Sequence, residues 1–211
     1  MISKFVSFIT SKWFAIGMGG VFVGLVFALI TYEGLHRTSD YRFCVVCHEM
    51  KPMVAAYLDD PHGGKGKSGI QVNCVDCHLP HNNVINYIAT KAKNGFVEGA
   101  IHFFGKPDAI DWQANRANKA HFVKDEGCIG CHTNYTTNEN ISEKGRQMHV
   151  HYQSLKNNND KEIGCASCHA EVGHHGLKSM LNYYKPEYKY YNGKLDSKKE
   201  EAEKKLSEAL K

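Results

Sequence analysis

The chain has 211 residues, with 26 basic and 22 acidic side chains giving a net charge of +4. That charge is too mild and too dispersed for a nucleic-acid surface, and the length suits one modest domain plus an anchor. Large aliphatic residues are sparse after residue 35, so the chain cannot fill an interior by itself and something bulky must.

Residues 1–12 read as a short cytoplasmic N-terminus carrying Lys4 and Lys12. Residues 13–32, WFAIGMGGVFVGLVFALITY, carry no charge. At about 1.5 Å per residue a helix of this length spans about 30 Å, the thickness of the hydrocarbon core. Trp13 and Tyr32 stand at its two ends, where amphipathic rings prefer the interface. The apolar run of a cleaved signal peptide is shorter and is followed by small residues at the cleavage site. Neither holds here, and the segment reads as an uncleaved, single-pass signal anchor. Lys4 and Lys12 before the span, against Glu33 and Arg37 after it, place the N-terminus inside by the positive-inside rule. Gly20-x-x-x-Gly24 suits either a helix-pairing face or simply a flexible apolar helix.

Residues 40–185 carry the chemistry. All eight cysteines fall in C-x-x-C-H units: Cys44–Cys47–His48, Cys74–Cys77–His78, Cys128–Cys131–His132 and Cys165–Cys168–His169. This is the attachment signal for c-type haem. Two thiols bond the two vinyl groups of one porphyrin, and the adjacent His lies under the iron. A disulfide framework has no use for a His after every second Cys. A zinc site could use paired C-x-x-C units but leaves the fourfold His unexplained. Thioredoxin-type pairs need a βαβ context that is missing. Four covalent c-type haems are expected. The first two units begin 30 residues apart, the last two 37 apart, and a gap of 54 separates the second from the third. This spacing suggests two two-haem modules, at 44–78 and 128–169.

In the long gap, Ile85, Ile88, Ala92, Phe96, Gly99 and Phe103 recur at three- and four-residue steps and predict a helix over 82–104. Lys91, Asn94 and Glu98 fall on a different face. Residues 186–211 read as a charged C-terminal helix, solvated or else docked on a partner. The expected fold is mostly α, with short helices and loops packed around porphyrin and almost no sheet.

Of the 13 histidines, four belong to the motifs, leaving His36, His62, His81, His102, His121, His149, His151, His174 and His175. A low-spin haem in an electron carrier needs a second strong axial ligand, and bis-His ligation keeps potentials low. The surplus histidines supply candidates.

One apolar helix followed by four C-x-x-C-H units, with Met50 and Met53 close behind the first, resembles the NapC/NirT/NrfH family of membrane-bound quinol dehydrogenases. The run Cys47-His48-Glu49-Met50-Lys51-Pro52-Met53 looks most like the NrfH branch. The resemblance covers residues 13 to about 176 and implies several assignments. Met50 would ligate the first haem iron, with Met53 as its rival, and His48 would not. His78, His132 and His169 would ligate the other three irons. The distal ligands would be His62, His149 or His151, and His174. Lys91 and Glu98, seven residues apart, would line a menaquinol pocket; the family residue at the second position is commonly Asp. The implied function is menaquinol oxidation at the outer face of the cytoplasmic membrane. The acceptor would be a periplasmic multihaem reductase, pentahaem cytochrome c nitrite reductase above all. The alternatives are a NapC-like donor to another periplasmic reductase (nitrate, N- or S-oxide), a terminal haem reductase, and a docking subunit with no quinol site.

Overall fold

The structure is a computed structural model that describes residues 12–158, 163–184 and 204–210. Most of the expected N-terminal segment and of the charged tail therefore lies outside the described residues.

Helix α1 spans Lys12–Arg37. It continues past Tyr32 because Glu33 and Arg37, one turn apart, form an ion pair at 2.5 Å. None of its residues is buried against the rest of the chain. An apolar helix of 26 residues without protein cover has the length and composition to cross a bilayer. Its last carbonyls are closed from three sides. Thr38 Oγ1 donates to Gly34 O (2.8 Å), Ser39 Oγ donates to Leu35 O, and Lys91 Nζ also donates to Leu35 O (2.8 Å). These groups would otherwise lack intrahelical partners, and a cation there also suits the helix dipole.

Short helices follow. Asp40 caps α2 (Tyr41–Cys44) by accepting from Arg42 N–H. A 3₁₀ turn at His48–Met50 leads into α3 (Lys51–Leu58), which has a proline in its first turn. Helix α3 is the most buried part of the domain, from Pro52 to Tyr57. It packs against α11 (Leu177–Tyr184), whose Leu181 is fully buried.

Helix α4 (Cys74–His78) carries the second haem motif, α8 (Asp125–Cys131) most of the third and α10 (Cys165–Cys168) most of the fourth. In α4 the variable residue Asp76 accepts from Asn73 N–H (2.9 Å). In α10 Ser167 Oγ accepts from Gly164 N–H (3.0 Å) in the same way. In α8 that position is Gly130, which has no such group. Helices α4 and α8 pack backbone to backbone. Lys124 N–H donates to Cys77 O (2.8 Å), and a Cβ on Gly127 would collide with the carbonyl oxygen of Asp76.

Between them lie α5 (Val84–Phe104), α6 (Trp112–Ala117) and α7 (Lys119–Phe122). Asn83 caps α5 by accepting from Asn86 N–H (2.8 Å), so the 82–104 expectation is met within a residue or two. Helix α9 (Glu143–Asn157) is capped by Ser142. Asp125 ties the third and fourth motif helices to α9: it accepts from Tyr152 OH in α9 (2.7 Å) and from Cys165 N–H in α10 (2.7 Å), and pairs with Lys156 in α9 (3.1 Å).

Among the described residues there is no strand, only an isolated bridge between Gly63 and Gln71. The chain's own apolar core is small. One cluster joins Tyr41, Val45, Val54 and Tyr57 to Leu206. The helical residues 204–209 thus dock on the domain, and Tyr41 OH donates to Ala209 O (3.2 Å). Leu206, set among the lysines and glutamates of the tail, anchors residues 204–209 on this cluster.

Candidate haem-binding site

The motif helices bring thiols of successive motifs together. Cys44 lies beside Cys74, Cys128 lies beside Cys165, and Cys77 lies within electrostatic reach of Cys131. None is in a disulfide. The two modules make the same contact, first Cys of one motif to first Cys of the next. The attachment points therefore run in the order one, two, three, four.

Three motif histidines face a second histidine across nearly one distance. The ring centroids of His78 and His174 are 6.1 Å apart, those of His132 and His62 6.2 Å, and those of His169 and His149 6.0 Å. Two imidazoles on opposite sides of one metal, each with a bond of about 2 Å, put their ring centres about 6 Å apart. The outer nitrogens are held as ligating histidines require. His78 Nδ1 bonds Phe122 O (3.0 Å), His174 Nδ1 bonds Met53 O (2.9 Å), and His62 Nδ1 bonds the buried Asp60 (2.8 Å). Each leaves Nε2 for a metal. His149 departs from this pattern, with its Nδ1 buried and without a hydrogen-bond partner. Burial pushes His174 down to about 4 and lowers His78 as well, which keeps both imidazoles neutral, the form that binds metal. His151 is exposed, and His149 rather than His151 is the residue set against His169. Opposed pairs, free Nε2 atoms and neighbouring thiols fit four-point attachment of haem at three of the motifs.

The first motif is built differently. His48 and His102 lie 5.9 Å apart, yet both meet one carboxylate. Glu49 Oε1 bonds His102 Nδ1 at 2.6 Å, and Glu49 Oε2 lies 3.5 Å from His48 Nδ1. Glu49 thus approaches the Nδ1 atoms of both rings, an arrangement the other three pairs do not show. Asp108 stands 3.5 Å from the other nitrogen of His48. Glu49 is only 6% exposed. Burial pushes its carboxyl up, but the bonds from His102 and its own backbone outweigh this and its pKa ends lowered. Met50 closes the same 3₁₀ turn and is half-buried, while Met53 is buried in α3. Cys47, Glu49 and His102 offer ligand atoms within 4.8 Å of one another, but Cys47 belongs to the first haem motif.

Lys91 and Glu98 both lie within electrostatic reach of Cys44, and Glu98 also of Cys47. All three ammonium protons of Lys91 have acceptors: Leu35 O (2.8 Å), Ser39 Oγ (2.9 Å) and Thr38 O (3.2 Å). Burial lowers its pKa, slightly offset by Cys44. Glu98 is exposed, and partial desolvation alone raises its pKa. Sequence reasoning passed over Asp60, Glu49 and Asp125, the carboxylates that orient these groups. Only Asp60, two residues before His62, carried a local signal, that of an Asx turn.

Residues 8–179 match the family described as "NapC/NirT cytochrome c family, N-terminal region". The chain is 31% identical over 166 residues to a protein of Shewanella oneidensis called tetraheme c-type cytochrome CymA, covering 74% of this chain and 86% of that one. It is 28% identical over 179 residues to the cytochrome c-type protein NrfH of Wolinella succinogenes, covering 84% and 91%. It is 28% identical over 158 residues to the cytochrome c-type protein NapC of Escherichia coli, covering 72% and 76%. No solved structure matches. With its four attachment motifs, apolar anchor helix and strand-free haem domain, this chain belongs to the NapC/NirT family of membrane tetrahaem cytochromes c.

Proposed function

We propose that the chain oxidises menaquinol at the outer face of the cytoplasmic membrane and passes the electrons to a periplasmic multihaem reductase. The observation that supports this most directly is the position of α5. Lys91 binds it to the last carbonyls of the membrane helix, and the same turn of the domain holds the first haem motif. Menaquinol is confined to the bilayer, so its headgroup is met only at such an interface. When bound, the four haems supply a one-electron relay from quinol to acceptor.

His78 with His174, His132 with His62, and His169 with His149 hold three of them, and Met50 holds the first. Glu98 accepts a quinol proton, and its raised pKa suits that task. Lys91 can donate to the quinol oxygen by exchanging its bond to Ser39, and its charge then stabilises the deprotonated oxygen. The acceptor is pentahaem cytochrome c nitrite reductase in the NrfH-like reading. A NapC-like role with another periplasmic reductase is the second reading, favoured by the comparable likeness to NapC and CymA. Co-purification from membranes separates them by which reductase is retained.

The test of the quinol site is Lys91→Leu and Glu98→Gln, each assayed for haem reduction by a menaquinol analogue and by dithionite. Quinol-driven reduction should fall at least tenfold, about 1.4 kcal/mol of barrier, while dithionite still reduces all four haems. Wild-type quinol kinetics in both variants would sink the assignment.

A further inference from the structure

Helix α5 is amphipathic the wrong way round for a soluble domain. Tyr87, Lys91, Asn94 and His102 turn toward the protein and are half-buried. The apolar stripe turns outward. Ile85 is 82% exposed, Phe96 81%, Phe103 76% and Phe104 90%. A contiguous apolar face of this kind needs a cover.

Haem does not provide it. His102, on the half-buried face of α5, stands with its ring 5.9 Å from that of His48 in the first motif and bonds Glu49 at 2.6 Å, so the first attachment site lies on the polar side of α5. The membrane anchor does not provide it either, since α5 does not pack along α1. It meets the end of α1 through Lys91, which binds Leu35 O and Thr38 O. Those carbonyls lie three and six residues past Tyr32, about 5–9 Å beyond the apolar span at 1.5 Å per residue. The headgroup layer on one side of a bilayer is about 5–8 Å thick. Lys91 therefore pins α5 at headgroup depth with its phenylalanines facing away from the domain.

We propose that α5 is an interfacial helix whose outward stripe, carrying Ile85, Phe96, Phe103 and Phe104, sinks into the bilayer that α1 crosses. Its occupant is lipid. The opposite face, with the half-buried Tyr87, Lys91 and His102, then turns toward the domain. This deepens the quinol reading and takes its functional sense from it, but the docking itself stands on the exposed stripe and the Lys91 tether.

The test uses the full holoprotein in nanodiscs of phosphatidylethanolamine and phosphatidylglycerol. p-Benzoylphenylalanine replaces Phe96, Phe103 or Asn94 in separate variants, with Phe22 in α1 as the lipid-contacting control. After illumination the adducts are identified by mass spectrometry. Lipid adducts at 96 and 103, as at 22, and none at 94 are the expected result. Adducts at 96 and 103 to a second copy or to a reductase overturn the proposal, as does a lipid adduct at 22 with none at 96 and 103. Failure of the Glu98→Gln assay would remove the quinol site and leave these adducts in place, so the two readings fail separately.

Discussion

His174 shows how much one side chain carries. It lies far from His78 in sequence, yet its ring faces His78 and its Nδ1 is fixed by Met53 O. Replacing it with Ala should convert one low-spin haem to high-spin and leave the others intact, read by EPR of the oxidised protein. His102→Ala should create no new high-spin signal, because His102 Nδ1 is bonded to the buried Glu49 and the first haem is assigned to Met50; a new signal would make His102 an iron ligand. Glu98 predicts a pH dependence. Its raised carboxyl must be ionised to accept a proton, so quinol-driven reduction should fall as pH drops through a value above the ordinary carboxylate pKa of about 4.3. Glu98→Gln should flatten that limb.

Asp125 bears on stability instead. Burial raises its carboxyl, but the bonds from Tyr152, Cys165 N–H and Lys156 outweigh it and its pKa ends lowered. A depressed carboxyl contributes stability that is fully present above its unfolded value, about 3.9, and lost as pH falls through the folded value. Asp125→Asn should be destabilised at neutral pH and should lose less on acidification below about pH 4. Acid titration of haem-domain unfolding, compared between the two proteins, checks the sign.

The elements are short, and their contacts rather than their lengths make the fold. Helix α4 has five residues and α8 seven, far too few to persist alone. They hold because glycine at 127 lets the two backbones touch and Lys124 N–H reaches Cys77 O. Gly127→Ala keeps ordinary helix propensity, and so by propensity alone should stabilise by up to about 1 kcal/mol. The clash with Asp76 O reverses the sign. The variant should lose about 1–3 kcal/mol by analogy with overpacked cores and shift the spectra of the second and third haems. Chemical denaturation that finds it as stable as wild type would mean that α4 and α8 do not touch there.

Among the described residues, α1 and α5 present apolar surface outward, whereas the buried apolar residues centre on α3, α11 and the cluster around Tyr41 and Tyr57, with Leu79 and Ala166 beside the motif helices. The tail closes that cluster through Leu206, and Lys205 adds an ion pair to Asp59 (3.1 Å). Leu206→Ala should cost about 2–3 kcal/mol, the low end for a buried leucine because the site lies near the surface and can relax. Lys205→Ala should cost under about 1 kcal/mol, as a half-exposed pair. Denaturant midpoints measure both, and equal losses would show that the tail is held by charge instead.

The sequence by itself determined the haem number, the anchor and the α class. Each of these is written in local spacing: four C-x-x-C-H units, an uncharged run of 20 residues, and helical steps of three and four. It also marked His62, His149 or His151, His174, Lys91 and Glu98, all by resemblance. Only the tertiary structure decided which of these histidines faces which motif histidine. His62 crosses to the third motif and His174 returns to the second, pairings between residues far apart in the chain that no spacing encodes. The structure likewise separated His149 from His151 and gave Lys91 its bonds to the end of α1. It turned the stripe of α5 outward too, because periodicity fixes which residues share a face but only packing fixes what that face meets.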